Sequence, residues 1–322
     1  MNGVLRRVQI IALAFMLFCC LSMTACVKTD DFNVYEGFSV NFLDVGEGDA
    51  IFINFGDGKT MLIDCGEKSN KNFKILSQYL NAYAKDVLDY LVLTHPDGDH
   101  VGNAAAVLDN YAVKTAYIPD MVEPENFGEY YDAYLKIKDK NIGRISETGK
   151  VISGEDYYAV FLSPNAKGTT DSAYTAINST PNPSEQEINN LSPIIYLEYK
   201  CVKFVFTGDA GFTQEKVALD NVQTGIIKRY LNHDINLSDV DFLKVSHHGA
   251  EDGSGEKFLK ALMPQNAVIS VGGGNIHGHP NTETLSRIVE VSPDCKIYTT
   301  SEYGTVSVLV DENGEITLKS AA

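Results

Sequence analysis

Basic residues are scarce in this chain. Its 322 residues carry 26 Lys and Arg against 43 Asp and Glu, a formal charge of −17, and removing residues 1–25 takes away Arg6 and Arg7 and no acid, leaving −19. Most non-specific affinity for nucleic acid comes from cations set against phosphates. Their shortage excludes a tight, processive grip on DNA, while a phosphodiester held at a small, locally positive site stays open. Cysteines give no disulfide framework. Of six, Cys19, Cys20 and Cys26 lie near the N-terminus, leaving Cys65, Cys201 and Cys295, an odd and scattered trio without zinc-ribbon spacing. All three read as core residues. No internal repeat is present, and no histidine lies between His100 and His233.

The N-terminus is of another kind. Arg6 and Arg7 precede an apolar run over residues 8–25, the basic and hydrophobic regions of a secretory signal. Met23-Thr-Ala-Cys26 resembles a bacterial lipobox, with methionine in place of the usual leucine, so Cys26 is the expected lipidated residue and membrane anchor. An uncleaved single span is the alternative. Both place the remaining chain outside the cytoplasm. Residues 26–37 read as a polar tether and 38–322 as one large domain, for which 44% hydrophobic content supplies a core.

Within 38–322 the pattern predicts strands at 39–44, 50–54 and 60–64, a helix over 72–83, and a strand over 89–94. Strand 113–118 and helix 125–140 follow, then strand 157–163, the hairpin 194–199 and 202–207, helix 213–231, strand 240–246, helix 256–262, strand 267–271 and helix 282–291. Strands 296–300, 305–310 and 315–319 end the chain. Residues 165–190, rich in Thr, Ser, Asn and Pro, read as a long loop: either an active-site cover or a passive, disordered segment. Pattern alone says α/β.

Four metal-binding side chains, His95, Asp97, Asp99 and His100, fall within six positions just after the predicted strand 89–94. A strand-to-helix turn aims neighbouring donors inward, and donors must converge to about 2 Å from an ion. The remaining histidines are His233, His247, His248, His277 and His279. All but His233 cluster at predicted strand-end loops, whereas surface or core histidines would scatter.

His95-Pro-Asp-Gly-Asp-His-Val-Gly102 resembles the metal motif of the metallo-β-lactamase superfamily, in its form with aspartate as third member. Phe42-Leu-Asp-Val-Gly-Glu-Gly-Asp-Ala50, Leu62-Ile-Asp-Cys-Gly66, Phe206-Thr-Gly-Asp-Ala210, Leu243-Lys-Val-Ser-His-His-Gly249 and Gly278-His-Pro280 extend the similarity to the soluble hydrolase domain of ComEC-type DNA-uptake proteins. The resemblance implies a four-layer αββα sandwich binding one or two divalent ions, zinc or manganese. By resemblance His95 and Asp97 hold one ion, Asp99, His100 and His279 the other, and Asp209 bridges them. Asp209 also stands where a helix N-cap would. Many superfamily members carry a further histidine where this chain offers only Asn165, so His247 or His248 is expected to complete the first site or contact substrate. Asp64 resembles the aspartate that braces the metal loop, Asp49 sits in a glycine-rich loop facing the cleft, and His277 falls on the rim. Glu47 replaces a common glutamine and disfavours a polyanion.

The implied activity is that of an extracytoplasmic metal-dependent hydrolase, a phosphodiesterase or nuclease using a metal-activated water. Asp97 or Asp99 would take a proton, and His247 or His248 would serve the leaving oxygen. The partner is a phosphodiester substrate, nucleic acid or an envelope component. A phosphorylcholine-esterase-like enzyme, a carboxylic ester or lactone hydrolase, and a non-catalytic, metal-stabilised envelope binding protein are the alternatives.

Overall fold

The computed structural model describes residues 34–321. The expected signal segment, Cys26 and the tether as far as residue 33 lie outside the described residues. No helix among the described residues is long and apolar enough to cross a membrane.

Among the described residues fifteen strands form two sheets. They are β1 (Phe38–Phe42), β2 (Ile51–Asn54), β3 (Thr60–Ile63), β4 (Val87–Val92), β5 (Ala112–Ile118), β6 (Gly143–Ile145), β7 (Val151–Ser153) and β8 (Tyr157–Ser163). β9 (Ile194–Tyr199), β10 (Val202–Phe206), β11 (Phe242–Lys244), β12 (Asn266–Ile269), β13 (Lys296–Thr299), β14 (Val306–Val310) and β15 (Ile316–Ser320) complete the set. The first sheet runs β15-β14-β1-β2-β3-β4-β5-β6 and the second β13-β12-β11-β10-β9-β8-β7.

Strand side chains alternate between faces, and each sheet buries both. Ile51 and Ile53 of β2 face the second sheet, whereas Phe52 between them faces the outer helices. In the second sheet Phe204 and Phe206 turn inward and Val205 outward. The inner layer is aromatic: Phe38 stacks on Tyr199 with ring centres 4.1 Å apart, and Phe55 on Tyr157 at 4.2 Å. With each buried large apolar side chain worth roughly 1.5–3 kcal/mol, this layer is the main cohesion between sheets. The helices Asn70–Tyr79, Ala104–Asn110 and Gly128–Asp139 cover one outer face, and Phe212–Gln223, Glu256–Leu262 and Thr282–Val291 the other. The result is the four-layer αββα sandwich.

Several expectations change. Residues 34–37 belong to the domain: Tyr35 donates its hydroxyl to the Val310 carbonyl at 3.1 Å, and Asn54 donates to the carbonyls of Tyr35 and Gly37. Segment 165–190 is not structureless, because Ser172 and Ser184 cap the short helices Ala173–Ile177 and Glu185–Asn189. Ala173, Tyr174, Ile177 and Leu191 then make a small core of their own. The long helix expected to residue 231 breaks at Gly225, whose φ is +73°. Cys65 is buried as expected, but Cys201 is exposed, since it sits in the turn joining β9 to β10.

Glu215, in the first turn of Phe212–Gln223, is 3% exposed; its Oε2 accepts the Gly255 N–H at 2.9 Å and its Oε1 has no partner. Burial pushes this carboxyl up to about 7, against hydrogen bonds that pull it down. A carboxyl raised from 4.5 to about 7 holds its proton in the fold after the unfolded chain has lost it, so stability declines as pH rises across that interval. Glu215→Gln is therefore expected to be more stable than the parent at pH 8, by about 3 kcal/mol at most, and nearly equal at pH 4.5. Thermal unfolding at both pH values checks this; an equal difference at both would refute it.

Candidate metal centre

The chemistry gathers at one edge of the sandwich. β3 and β4 run parallel, as do β10, β11 and β12, so their C-terminal ends open on the same side and their loops converge. The loop after β4 carries His95 and Asp97 and runs into a short helix that bears Asp99, the turn after β10 carries Asp209, and the turn after β11 carries His247 and His248. His100 follows Asp99 in that helix, Gly98–Val101. Both His247 and His248 adopt left-handed backbone, with φ of 48° and 51°. Such conformations cost a non-glycine residue of order 1–3 kcal/mol and are retained mainly at functional sites.

Four imidazoles turn the same ring nitrogen inward. Nε2 of His95, His100, His247 and His248 lies 3.9, 3.3, 3.8 and 3.5 Å from Asp209 Oδ2. Each Nδ1 is occupied behind. Asp64 holds that of His100 at 2.8 Å, Asp252 that of His247 at 2.9 Å, and the Ser270 carbonyl that of His248 at 2.8 Å. Thr94 and Ser192 flank that of His95 at 3.0 and 3.2 Å. Donor atoms of His95, His100 and Asp209 lie within 4.8 Å of one another, as do those of Asp99, His100 and His248. With Asp97 beside His95 and His247 on Asp209, we assign His95, Asp97, Asp209 and His247 to a first donor group and Asp99, His100, Asp209 and His248 to a second. Asp97 stands 3.5 Å from His95 Nε2, and Asp99 stands 3.3 Å from His248 Nε2.

Charge and unused valence favour a cation there. His95 Nε2 and Asp209 Oδ1 are buried with no hydrogen-bond partner. Burial would lower the His100 imidazole, yet Asp209, Asp99 and Asp64 push it well above its ordinary value. His247, despite burial, is pushed to about 9 by Asp252 and Asp209. Burial would likewise raise Asp209, but His100 and His248 hold it well below the carboxylate range. The cluster thus draws positive charge, and imidazole nitrogen with carboxylate oxygen is a donor set that fits divalent zinc or manganese. A fit for divalent ions follows from these residues alone.

The predicted supporting residues divide. Asp64 is buried with φ of 58°, accepting from Thr94 N at 2.8 Å, Thr94 Oγ1 at 2.7 Å and His100. Asp49 lies beneath the cluster, 2.6 Å from Lys244 Nζ. Gly48, with φ of 112°, packs so closely that a Cβ would come 2.1 Å from the Asp99 carbonyl oxygen. His279 departs from its expected place with Asp99 and His100. It comes from the loop after β12, where its Nδ1 meets Glu47 Oε1 at 3.2 Å, and His248 stands in the second group instead. His277 is exposed on the rim, its ring centre 5.7 Å from that of His279. Asn165 is not brought to the cluster. Its amide is used elsewhere, accepting from Thr148 and Asn221 at 3.0 and 2.8 Å and donating to the Thr170 carbonyl. His233 lies apart, edge-on to Tyr158.

Sequence reasoning missed Lys244, Asp252 and Ser192. A lone lysine within the apolar strand Phe242-Leu-Lys-Val245 was the available signal for the first. Nothing local marks the other two. Above the cluster opens a cleft of about 930 Å³, walled by Asp97, Asp99, His247, His248 and His279 and by Glu47, Glu67, Glu129 and Glu185, with Lys68 the cation among its lining residues.

Residues 43–172 match the sequence profile of the metallo-beta-lactamase superfamily. The chain is 28% identical over 282 residues to ComE operon protein 3 of Bacillus subtilis, covering 83% of this chain and 32% of that protein. It is 24% identical over 253 residues to Recombination protein 2 of Haemophilus influenzae, covering 78% and 26% respectively. It therefore spans a third or less of the length of these relatives. Among solved structures it is similar to CmlA, a diiron beta-hydroxylase from Streptomyces venezuelae, with a TM-score of 0.50 at 10% identity over 86% of this chain and 55% of that one, a likeness of fold alone. Over residues 43–172 the chain is thus similar to the metallo-β-lactamase superfamily, and over most of its length it is similar to a part of ComE operon protein 3 and of Recombination protein 2.

Proposed function

We propose that the chain is an extracytoplasmic phosphodiesterase acting through one or two divalent ions held by the two groups around Asp209. The observation that carries this is the convergence of four Nε2 atoms on one carboxylate oxygen beneath an open cleft. A purely structural site is closed by four ligands, whereas this one has more donors than a single ion needs and faces solvent on one side. Bound ions would lower the pKa of water and neutralise charge developing on the phosphoryl oxygens. The chain's residues do the rest. Asp97 and Asp99, whose side chains are 34% and 33% exposed, are the carboxylates open to the cleft and able to take a proton from attacking water. Asp64, Asp252 and Ser270 fix the imidazole tautomers from behind.

The acidic wall of Glu47, Glu67, Glu129 and Glu185 favours a small or envelope-bound phosphodiester over a long polyanion. The sequence relatives favour nucleic acid. We also assign residues 1–25 to an export signal and Cys26 to a lipid anchor.

The test is hydrolysis of bis-p-nitrophenyl phosphate by the protein stripped of metal and reloaded with zinc or manganese. Metal-dependent turnover is expected. A folded, metal-loaded protein that cleaves a carboxyl ester and not the phosphodiester would refute this reading. Salt titration of DNA binding then separates the substrates, since a nuclease would lose affinity steeply with salt.

A further inference from the structure

Lys244 is the only buried lysine or arginine among the described residues. Its Nζ lies 2.6 Å from Asp49 Oδ2, with both side chains closed to solvent, and donates to the Gly208 carbonyl oxygen at 3.4 Å. A buried ion pair seldom adds net stability over apolar residues of similar size, because desolvating two charges offsets their attraction. Its retention here has a positional explanation. Gly208 immediately precedes Asp209. Asp49 immediately follows Gly48, which packs on the Asp99 carbonyl oxygen. Lys244 itself ends β11, four residues before His248. One ammonium therefore joins the segments that carry Asp99, Asp209 and His248, three of the four side chains in the second donor group. The first group meets it through two of its four side chains, Asp209 and His247, whose backbone N–H donates to the Gly208 carbonyl oxygen at 3.1 Å.

We propose that Lys244 is a positioning residue for the second ion, clasping the Asp49 loop of the first sheet to the Asp209 turn of the second and so setting the spacing of Asp99, Asp209 and His248. The inference rests on the metal-centre reading above. Asp49 is the other half of the clasp; its Oδ1 lies 3.8 Å from His248 Nδ1 and has no hydrogen-bond partner, so the carboxylate is held by the lysine rather than by the imidazole.

The sign of the effect separates this role from a purely electrostatic one. Removing a cation from beneath a cation site strengthens binding of the ion by Coulomb attraction alone. Removing a clasp weakens it. A general loss of stability would weaken both sites equally, whereas loss of the clasp weakens the second more, since it disturbs three of that group's four side chains and two of the first group's.

The experiment is a stepwise zinc titration against a competing chelator, using the full chain in detergent, with the visible spectrum of the cobalt(II)-loaded protein as a readout of donor geometry. Lys244→Met is expected to keep its circular dichroism, bind the second ion at least about tenfold more weakly, lose clearly less affinity for the first, and shift the cobalt spectrum. Lys244→Gln, which keeps an N–H donor, is expected to fall between the two. Unchanged or tighter binding of the second ion in Lys244→Met, or equal weakening of both, overturns the proposal. If Lys244→Met does not fold, Lys244→Gln decides by the same criterion. A parent protein that binds only one ion also overturns it. A parent that binds two ions but cleaves no phosphodiester counts against the proposed activity and leaves this inference standing.

Discussion

Asp209→Ala is expected to lose both ions and about 10³-fold or more of metal-dependent hydrolysis. Asp209 is the carboxylate assigned to both donor groups: its Oδ2 is the atom on which all four Nε2 atoms converge, and its Oδ1 is buried without a partner. Two like-charged ions held about 3.5–4 Å apart need shared negative charge between them, so removing this carboxylate leaves neither site complete. Asp209→Asn, which keeps the shape and loses the charge, is expected to follow the alanine variant closely. Metal content by mass spectrometry and turnover on the phosphodiester measure the two effects separately. Retention of both ions and of turnover in a folded Asp209→Ala protein would show that the bridge is misassigned.

Gly48→Ala is expected to carry the largest stability loss. The added methyl would stand 2.1 Å from the backbone oxygen of Asp99, and a backbone oxygen cannot swing aside as a side chain does. A φ of 112° adds strain, since side-chain-bearing residues rarely adopt it. Overpacking of about 1–3 kcal/mol and backbone strain of similar size together predict a melting temperature lower by about 5–10 °C. The relief route matters as much as the size. Either the glycine loop or Asp99 must move, so the second ion should weaken along with the fold. Thermal unfolding with and without zinc tests this, and a variant matching the parent in both would contradict the packing described here.

The parts of the site legible in sequence were those whose chemistry and position are local. His95, Asp97, Asp99 and His100 sit close together after a clear strand, and Asp209 and the His247-His248 pair each follow a strand whose apolar pattern is unmistakable. What the sequence could not supply was pairing at long range. His279 meets Glu47 across 232 positions and is not among the donors gathered with Asp99 and His100. Asn165 is drawn instead to Thr148 and Asn221. The left-handed backbone of His247 and His248 has no local cause, because these side chains impose a penalty there rather than a preference. Strand and helix order alone gave α/β, the sandwich came from the resemblance, and β6 and β7, three residues each, are too short for periodicity to register. The helices within 165–190 were hidden because their apolar residues, Ala173, Tyr174, Ile177 and Leu191, are too sparse to mark a face.

The pairing of β1 with β14 bears on how the protein reaches its native state. Phe38 lies opposite Val310 and Phe42 opposite Val306, so the first sheet spans nearly the whole described chain, whereas strands β7 to β13 are contiguous in sequence and form the second sheet by themselves. Contacts of such wide separation must close a very long loop before they yield any interaction energy, and this slows their formation. The half of the centre that bears Asp209, His247 and His248 can therefore be organised early, while the half bearing His95, Asp97, Asp99 and His100 sits on a sheet that closes only after the last strands have arrived. Ion uptake during refolding would then lag behind the appearance of secondary structure, reporting the closing of the ends rather than the collapse of the core.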